Sequence, residues 1–437
     1  MIEIFAYPSA ESEQKIAAVS KRKPGADPEL EKKVAEIIRA VKSGGDAALL
    51  RYTREFDAPG LEIERISVTD AEIDAARAEV DEVDPEFLEI LRAAIRNVEE
   101  FHRQQLRHSH FITRPDGTFL GQIVRPVRAA GLYIPGGQGG ETPLISSVVM
   151  NAVPAKLAGV RDIAMITPPR KDGSVNPFLL TAAHEVGVAR IHRAGSAWGI
   201  AALAFGTESV APVDVIVGPG NIYVALAKKL VSGEVGIDMI AGPSEILVIA
   251  DDGAKADFIA ADLLSQAEHD SMASAVCITT SYDLAISVSR CVEDQLRTLP
   301  RRETAAASIA NYGAIFVVKN IDAAVALANR IAPEHLELHV RDPLPLLGAI
   351  ENAGAVFIGD HTPEAVGDYF AGPNHVLPTA GTARFASALG VDDFLKKTSV
   401  IAYSKQAFDR DAHSIIRLAE LEGLDAHAQS VRIRLGV

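Results

Sequence analysis

Cysteine is nearly absent from this chain. Among 437 residues only Cys277 and Cys291 are cysteines. No C-x-x-C pair exists, so neither a disulfide framework nor a thiolate zinc site can be built. Such scarcity fits a reducing compartment and predicts a cytoplasmic protein. No uncharged apolar run approaches the roughly 18–20 residues needed to span a bilayer, so no membrane partner is expected. The N-terminus, MIEIFAYPSAESEQK, lacks a basic segment followed by an apolar one, and no signal peptide is visible. Positive charge is also short: 43 Lys plus Arg stand against 58 Asp plus Glu, a net charge of −15. With no basic cluster to offset it, that balance repels phosphate backbones and argues against a nucleic-acid partner. Low-complexity linkers and short tandem repeats are missing too.

What the chain does have is ordinary globular material, 48% apolar and 23% charged. That excludes disorder, because there is ample apolar surface to offset chain entropy. The length exceeds one core and implies two main domains with smaller attachments. Residues 1–120 read as an N-terminal helical arm. In PELEKKVAEIIRAVKSGGD, Leu30, Val34, Ile37, Ile38 and Val41 fall at helical spacing, and Gly44-Gly45 is expected to stop the helix. A second helical run starts near Pro85, with His102, His108 and His110 read as surface residues of its polar tail. From about residue 122, short β-branched runs alternate with Ala/Leu-rich helical patterns. That alternation predicts an α/β fold of two doubly wound, parallel-sheet units (incomplete Rossmann-like), at 121–240 and 241–385. Residues 386–437 are expected to form a tail with one helix, about Lys405–Glu422, and a last strand, SVRIRL.

Several segments could carry chemistry, although each alone has an ordinary structural explanation. Two glycine-rich turns, Gly136-Gly137-Gln138-Gly139-Gly140 and Gly218-Pro219-Gly220-Asn221, follow expected strands. Such turns let backbone approach an anionic ligand, but neither is the G-x-G-x-x-G dinucleotide fingerprint. Gln266 and His269 end a helix three positions apart, so an amide and an imidazole, both competent metal donors, share one face. Glu334 and His335 adjoin a strand and offer two proton-transfer groups. Asp360, His361, Asp368 and His375 crowd one stretch, and Glu422 and His427 lie together in the tail. Cys277 sits in the apolar run SAVCITT and reads as core, and Cys291 falls in a helix, so no thiolate nucleophile is expected.

The segments GLYIPGG, SSVVMNAVPAKLAGV, IAALAFGTESV, VDVIVGPGNIYVALAK, GIDMIAGPSEILVIAD, ADLLSQAEHD, APEHLEL, GDYFAGPNHVLPTAGTARF and EGLDAHAQSV, in this order, resemble the histidinol dehydrogenase family. They span about residues 120–435. The N-terminal third resembles the family only in helical character and length. The resemblance implies a zinc-dependent, NAD-linked homodimer that oxidises L-histidinol through L-histidinal to L-histidine, using two NAD. It implies one zinc per chain, held by Gln266, His269, Asp368 and His427, with Mn²⁺ or Co²⁺ as substitutes. It makes His335 the base for the alcohol step and Glu334 the group that activates water in the aldehyde step. Ser244, Gln266, His269, His335, Asp368, Glu422 and His427 fall on substrate-contacting positions, with His375 nearby. Tyr133 and Asn221 fall on dinucleotide-contacting positions.

Two departures concern the cofactor region. Ser196-Ala197-Trp198-Gly199 stands where many family members have Gly-Ala-Gln-Ala, so Trp198 replaces a glutamine that contacts NAD. Its ring either stacks on the cofactor or fills core. The loop QGGETPLISS also looks slightly longer than usual. Alternative readings are a related dehydrogenase of another small amino or sulfonated alcohol, and a metal-binding protein without turnover. A terminal helix-strand arm is easily exchanged, so the tail carrying Glu422 and His427 is expected to reach the partner's site.

Overall fold

The computed structural model describes all residues except 21, 23–26, 138–139 and 437, so part of the first glycine turn, Gln138 and Gly139, lies outside the described residues. In chain order the N-terminal third holds β1 (Ile4–Ala6), α1 (Ala10–Ser20), α2 (Pro28–Phe56), α3 (Asp70–Val83) and α4 (Phe87–Arg103). Asp27 caps α2 ahead of Pro28, and a Thr69–Glu72 capping box opens α3. The Gly44-Gly45 pair does not stop α2. Gly45 adopts φ 53° and kinks the helix. A Cβ there would run into the Glu208 carboxylate, which accepts the Asp46 N–H at 2.7 Å. Beyond the kink the helix resumes and buries Ala48, Leu49 and Leu50. His102 is a further difference: it is fully buried in α4, with Nδ1 2.8 Å from the Gln105 side-chain oxygen.

After β2 (His110–Thr113) and β3 (Phe119–Pro126), strands and helices alternate as expected. The first series is β4 (Ala129–Tyr133), α5 (Ile145–Ala158), β5 (Asp162–Thr167), α6 (Pro177–Glu185), β6 (Arg190–Arg193), α7 (Ser196–Phe205), β7 (Val215–Val217), α8 (Ile222–Val231) and β8 (Gly236–Ile237). The second is β9 (Glu245–Ala250), α9 (Ala256–Ala267), β10 (Ser274–Thr279), α10 (Tyr282–Leu296), α11 (Arg302–Tyr312), β11 (Gly313–Val317), α12 (Ile321–Ile331), β12 (His335–His339), β13 (Ala355–Ile358) and α13 (Glu364–Tyr369). Both give all-parallel sheets, in the orders β6-β5-β4-β7-β8 and β1-β11-β10-β9-β12-β13. Strand order reverses between β4 and β7 and between β9 and β12, the places where doubly wound sheets open a ligand crevice. β1, from the expected helical arm, adds an edge strand to the second sheet by pairing with β11.

The second sheet shows why its strands read as near-continuous apolar runs. Ile246, Val248, Ala275, Cys277 and Ile315 enter the core under α9, α10 and α11. Their neighbours Leu247, Ile249, Val276, Ile278, Ala314 and Phe316 enter the opposite core with α1 and α12. A parallel sheet covered on both faces needs apolar side chains at every position.

The chain divides into two compact units. One comprises Met1–Gln105 with Arg128–Phe394 and contains both parallel sheets. The other comprises Leu106–Val127 with Leu395–Val437. In it β14 (Leu395–Ala402), which sequence reasoning missed, pairs antiparallel with β3, and β3 with β2, while α14 (Lys405–Leu421) packs on α15 (Asp425–Leu435). The expected last strand SVRIRL is therefore wrong: it lies in α15. The Val-Arg-Ile-Arg alternation imitates a strand, but Ala428 and Val431 are the buried pair, three positions apart, and Arg432 pairs with Glu420 of α14.

Candidate active site

A single peptide segment organises Glu334 and His335. Glu245 opens β9 and lies beside the start of β12, where His335 is in register with Ile246. The Glu245 N–H donates to Glu334 Oε2 at 2.9 Å. The Glu245 carbonyl lies 2.9 Å from His335 Nδ1. A carbonyl only accepts, so Nδ1 carries the proton and the ring's lone pair is on Nε2. Nε2 has no hydrogen-bond partner and lies 3.7 Å from Glu364 Oε1. Burial lowers the His335 pKa, which keeps the ring neutral. Burial pushes Glu334 well above the usual carboxylate range, against the Glu245 N–H bond that pulls it down, and the Glu245 charge adds to the rise. A carboxylate raised in this way is a stronger base when ionised.

Of the expected residues the structure brings Asp368 to His335, together with Glu364. His335, Glu364 and Asp368 bring donor atoms within 4.8 Å of one another. Gln266, in the last turn of α9, is fully buried with its oxygen unpartnered; its amide nitrogen lies 3.2 Å from His335 Nδ1, a contact of two donors and not a hydrogen bond. An orphaned buried carbonyl oxygen at a helix C-terminus suits a cation, because the helix dipole is negative there. His269 follows just past that helix end and is exposed. His375 is half-buried with Nε2 unpartnered, and it feels the charges of Asp368 and His269. Ser244 directly precedes Glu245 and accepts the Ser274 N–H at 3.0 Å. Glu422, at the end of α14, and His427, in α15, are exposed and belong to the other compact unit.

Sequence reasoning missed the carboxylates behind this cluster. Glu364, almost fully buried, has its pKa pushed up by burial and then by neighbouring carboxylates, Asp368 foremost. Its backbone N–H donates to Glu337 Oε1 at 2.9 Å, which fixes the start of α13. Glu337 Oε2 and Asp262 Oδ2 flank His339 Nε2 at 3.3 and 3.4 Å. Burial opposes charging of His339, but the Glu337 hydrogen bond and charge outweigh it and raise its pKa. Burial, reinforced by Glu337, lifts Asp262 to about 7. The only signal for Glu364 was its spacing, four residues before Asp368 on one helical face.

A family model described as histidinol dehydrogenase matches residues 20–435. The histidinol dehydrogenase of Desulfotalea psychrophila is 56% identical over 402 residues, 92% of each chain. That of Syntrophotalea carbinolica is 51% identical over 435 residues, 100% of this chain and 99% of its own. The crystal structure of histidinol dehydrogenase from Elizabethkingia anophelis superposes with a TM-score of 0.91 at 36% identity, covering 100% and 98%. The chain belongs to the histidinol dehydrogenase family. Its members are NAD-dependent oxidoreductases of histidine biosynthesis that use zinc, and one of the four expected ligands, Asp368, lies here in a group of donors able to hold a metal, with His335 and Glu364.

Histidinol dehydrogenase membership also gives meaning to the first sheet's strand ends. Tyr133 ends β4 and accepts the Ser196 N–H on its hydroxyl at 3.0 Å. Asn221 caps α8 through its side-chain oxygen, which receives the Tyr223 and Val224 N–H groups. Gly218 must be glycine: its φ is 115°, and a Cβ would strike the Tyr133 carbonyl. A buried Lys228–Asp238 pair grips this turn, Lys228 donating to the Gly218 carbonyl and Asp238 accepting its N–H, each at 2.9 Å. Trp198 settles as core, stacked on Tyr52 and Phe56 at 6.0 and 5.4 Å. No helix among the described residues is long and apolar enough to cross a membrane.

The cysteines are excluded from the chemistry. Cys277 is buried on β10, and burial pushes its thiol up to about 12; Cys291 is likewise raised by burial. Thiolate chemistry needs the opposite shift. Activity should survive iodoacetamide treatment of the folded enzyme and a Cys277→Ala/Cys291→Ala double substitution, within about threefold of the parent in a steady-state assay. Loss of turnover in the folded double variant would bring back a thiol adduct.

Proposed function

We propose that the residues of this chain divide the oxidation of histidinol to histidine between His335 and Glu334, with zinc held by Gln266, His269, Asp368 and His427. The observation that carries this is the Glu245 peptide segment, which holds both groups and leaves His335 Nε2 as the free lone pair. In the first half-reaction Nε2 removes the hydroxyl proton of histidinol as hydride leaves the carbinol carbon. In the second, ionised Glu334 takes a proton from water as its oxygen attacks the aldehyde carbon, and the hydrate then loses a second hydride. Bound zinc would supply a Lewis acid to anchor the substrate, and NAD would supply the hydride acceptor for both steps. The ligand set is one amide, one carboxylate and two imidazoles, and the orphaned Gln266 oxygen fits it. Glu422 pairs with the cationic amine, Ser244 contacts the substrate, and Tyr133 and Asn221 contact the dinucleotide. Steady-state NADH formation from histidinol tests the reading directly.

The buried groups set the pH dependence. Burial lowers His335, so alcohol oxidation should hold its rate down to a pH below the ordinary histidine value, about 6.5. Glu334 is raised, so histidinal oxidation should gain rate as pH rises through a value above the ordinary glutamate, about 4.3. Single-turnover profiles on each substrate measure both limbs. A histidinal limb at the ordinary glutamate value contradicts the role of Glu334.

A homodimer in the cytoplasm completes the proposal. The smaller unit exposes Ile112, Ile401, Leu418, Leu421 and Ile433, an apolar surface that a second copy would cover. His427 and Glu422 lie in that same unit, so dimerisation would bring them to a partner's site. Light scattering should give twice the chain mass, and Ile401→Lys with Leu421→Lys should yield monomers that bind less zinc. Monomeric parent protein with full zinc would refute the arrangement.

A further inference from the structure

The Glu245 segment is itself held from far away in sequence. Arg22, between α1 and α2, is almost fully buried. Its Nη2 lies 2.5 Å from Glu245 Oε1 and donates to Ser274 Oγ at 2.8 Å. Nε donates to the Val19 carbonyl at 2.8 Å and Nη1 to the Met272 carbonyl at 2.6 Å. The guanidinium also sits 5.4 Å from the Tyr312 ring centroid. A planar fork with this many fixed partners locks what it touches, and here it ties the end of α1 to the starts of β9 and β10. The loop carrying Met272 begins just after His269. One side chain therefore anchors the residue whose N–H holds Glu334 and whose carbonyl holds His335.

We propose that Arg22 is a positioning residue for the reaction: through its ion pair with Glu245 it fixes the peptide segment that sets the places of both proton-transfer groups. The inference rests on the roles proposed above for Glu334 and His335. A second feature points the same way. The turn at Gly218 is also tied by a buried ion pair, although there the pair meets the backbone directly, Lys228 donating to the Gly218 carbonyl and Asp238 accepting its N–H. Each parallel sheet thus fixes one site-bearing backbone segment with a buried ion pair. A mere stability device would need only to join elements. Arg22 instead acts on the one residue that both Glu334 and His335 share.

Misplacing reacting groups by about 1 Å costs roughly 10²-fold. Arg22→Gln in the full-length, zinc-loaded enzyme should therefore lower kcat about 10- to 100-fold in both half-reactions. KM for histidinol and zinc content should change far less than kcat, because Asp368 and Glu422 are not held by the Glu245 segment. Arg22→Lys, which keeps the charge but not the fork, should fall between variant and parent. An Arg22→Met/Glu245→Gln double variant removes both buried charges; it should recover thermal stability without recovering kcat. If Arg22→Gln does not fold, Arg22→Lys decides, and parental kcat in that variant overturns the proposal. So does any Arg22→Gln enzyme whose kcat per bound zinc equals the parent's, or a double variant that regains stability and rate together. Glu334→Gln and His335→Asn are measured alongside. If they too keep parental rates, the reading of the catalytic pair fails first; if they lose rate while Arg22→Gln does not, only this inference fails.

Discussion

Glu334→Gln should oxidise histidinol to histidinal at a rate near the parent's and fail at the next step. His335 Nε2 still takes the hydroxyl proton in this variant, because its tautomer depends on the Glu245 carbonyl and not on Glu334. The amide cannot accept a proton from water, so histidinal oxidation should fall by about 10²–10⁴-fold, the usual worth of a placed base. Glutamine still accepts the Glu245 N–H that Glu334 Oε2 receives, so the fold should be undisturbed. It also removes a buried, uneasy acid. His335→Asn should behave differently, losing both steps and the alcohol step most severely. Supplying histidinal isolates the second half-reaction, and one turnover of NADH from histidinol isolates the first. Parental histidinal oxidation by Glu334→Gln would assign water activation to another group.

His269→Asn and Asp368→Asn should each release zinc. Changes to residues that merely orient a metal ligand cost roughly 10–100-fold in affinity, so loss of one of four direct ligands should exceed that. Asp368 is the more instructive case. It lies among Glu364, Glu334 and His335; its charge adds to the burial that raises both glutamates and offsets part of the burial that lowers His335. Asp368→Asn should thus weaken zinc and also relieve the crowded carboxylates, giving a metal-poor protein that melts no lower than the parent. Elemental analysis and thermal unfolding of the two variants report both effects. Full zinc occupancy in either variant would remove that residue from the ligand set.

The parallel sheets were legible because burial on both faces writes itself locally, as apolar runs such as EILVIA and SAVCIT. Glu334 and His335 stood out as neighbours at a strand start, but their proposed roles rest on the family resemblance and not on that spacing. What was not legible depends on distant partners. Arg22 and Glu245 lie 223 positions apart, and nothing near either residue announces the pair. Glu337 and His339 look like core-strand residues, and only α9 and α13, folded against β12, turn them into a polar cluster with Asp262. The tail misled for a local reason. Its arginines alternate with Val431 and Ile433, whereas Ala428 and Val431 set the true helical face. Gly45 misled in the opposite sense, since a positive φ bends α2 without ending it. The site also lies at the starts of β9 and β12, with Gln266 and His269 at a helix end, whereas Tyr133 and Gly218 lie at the C-terminal ends of β4 and β7. Only the second placement follows the general rule for dinucleotide crevices.

The decisive measurement is the NADH yield when limiting L-histidinol is exhausted by the zinc-loaded enzyme with excess NAD. Two proton-transfer groups serving two successive oxidations in one site predict two NADH for each histidinol, with histidine as the sole product. One NADH per histidinol with histidinal accumulating, or zinc uptake with no NADH at all, would contradict the account.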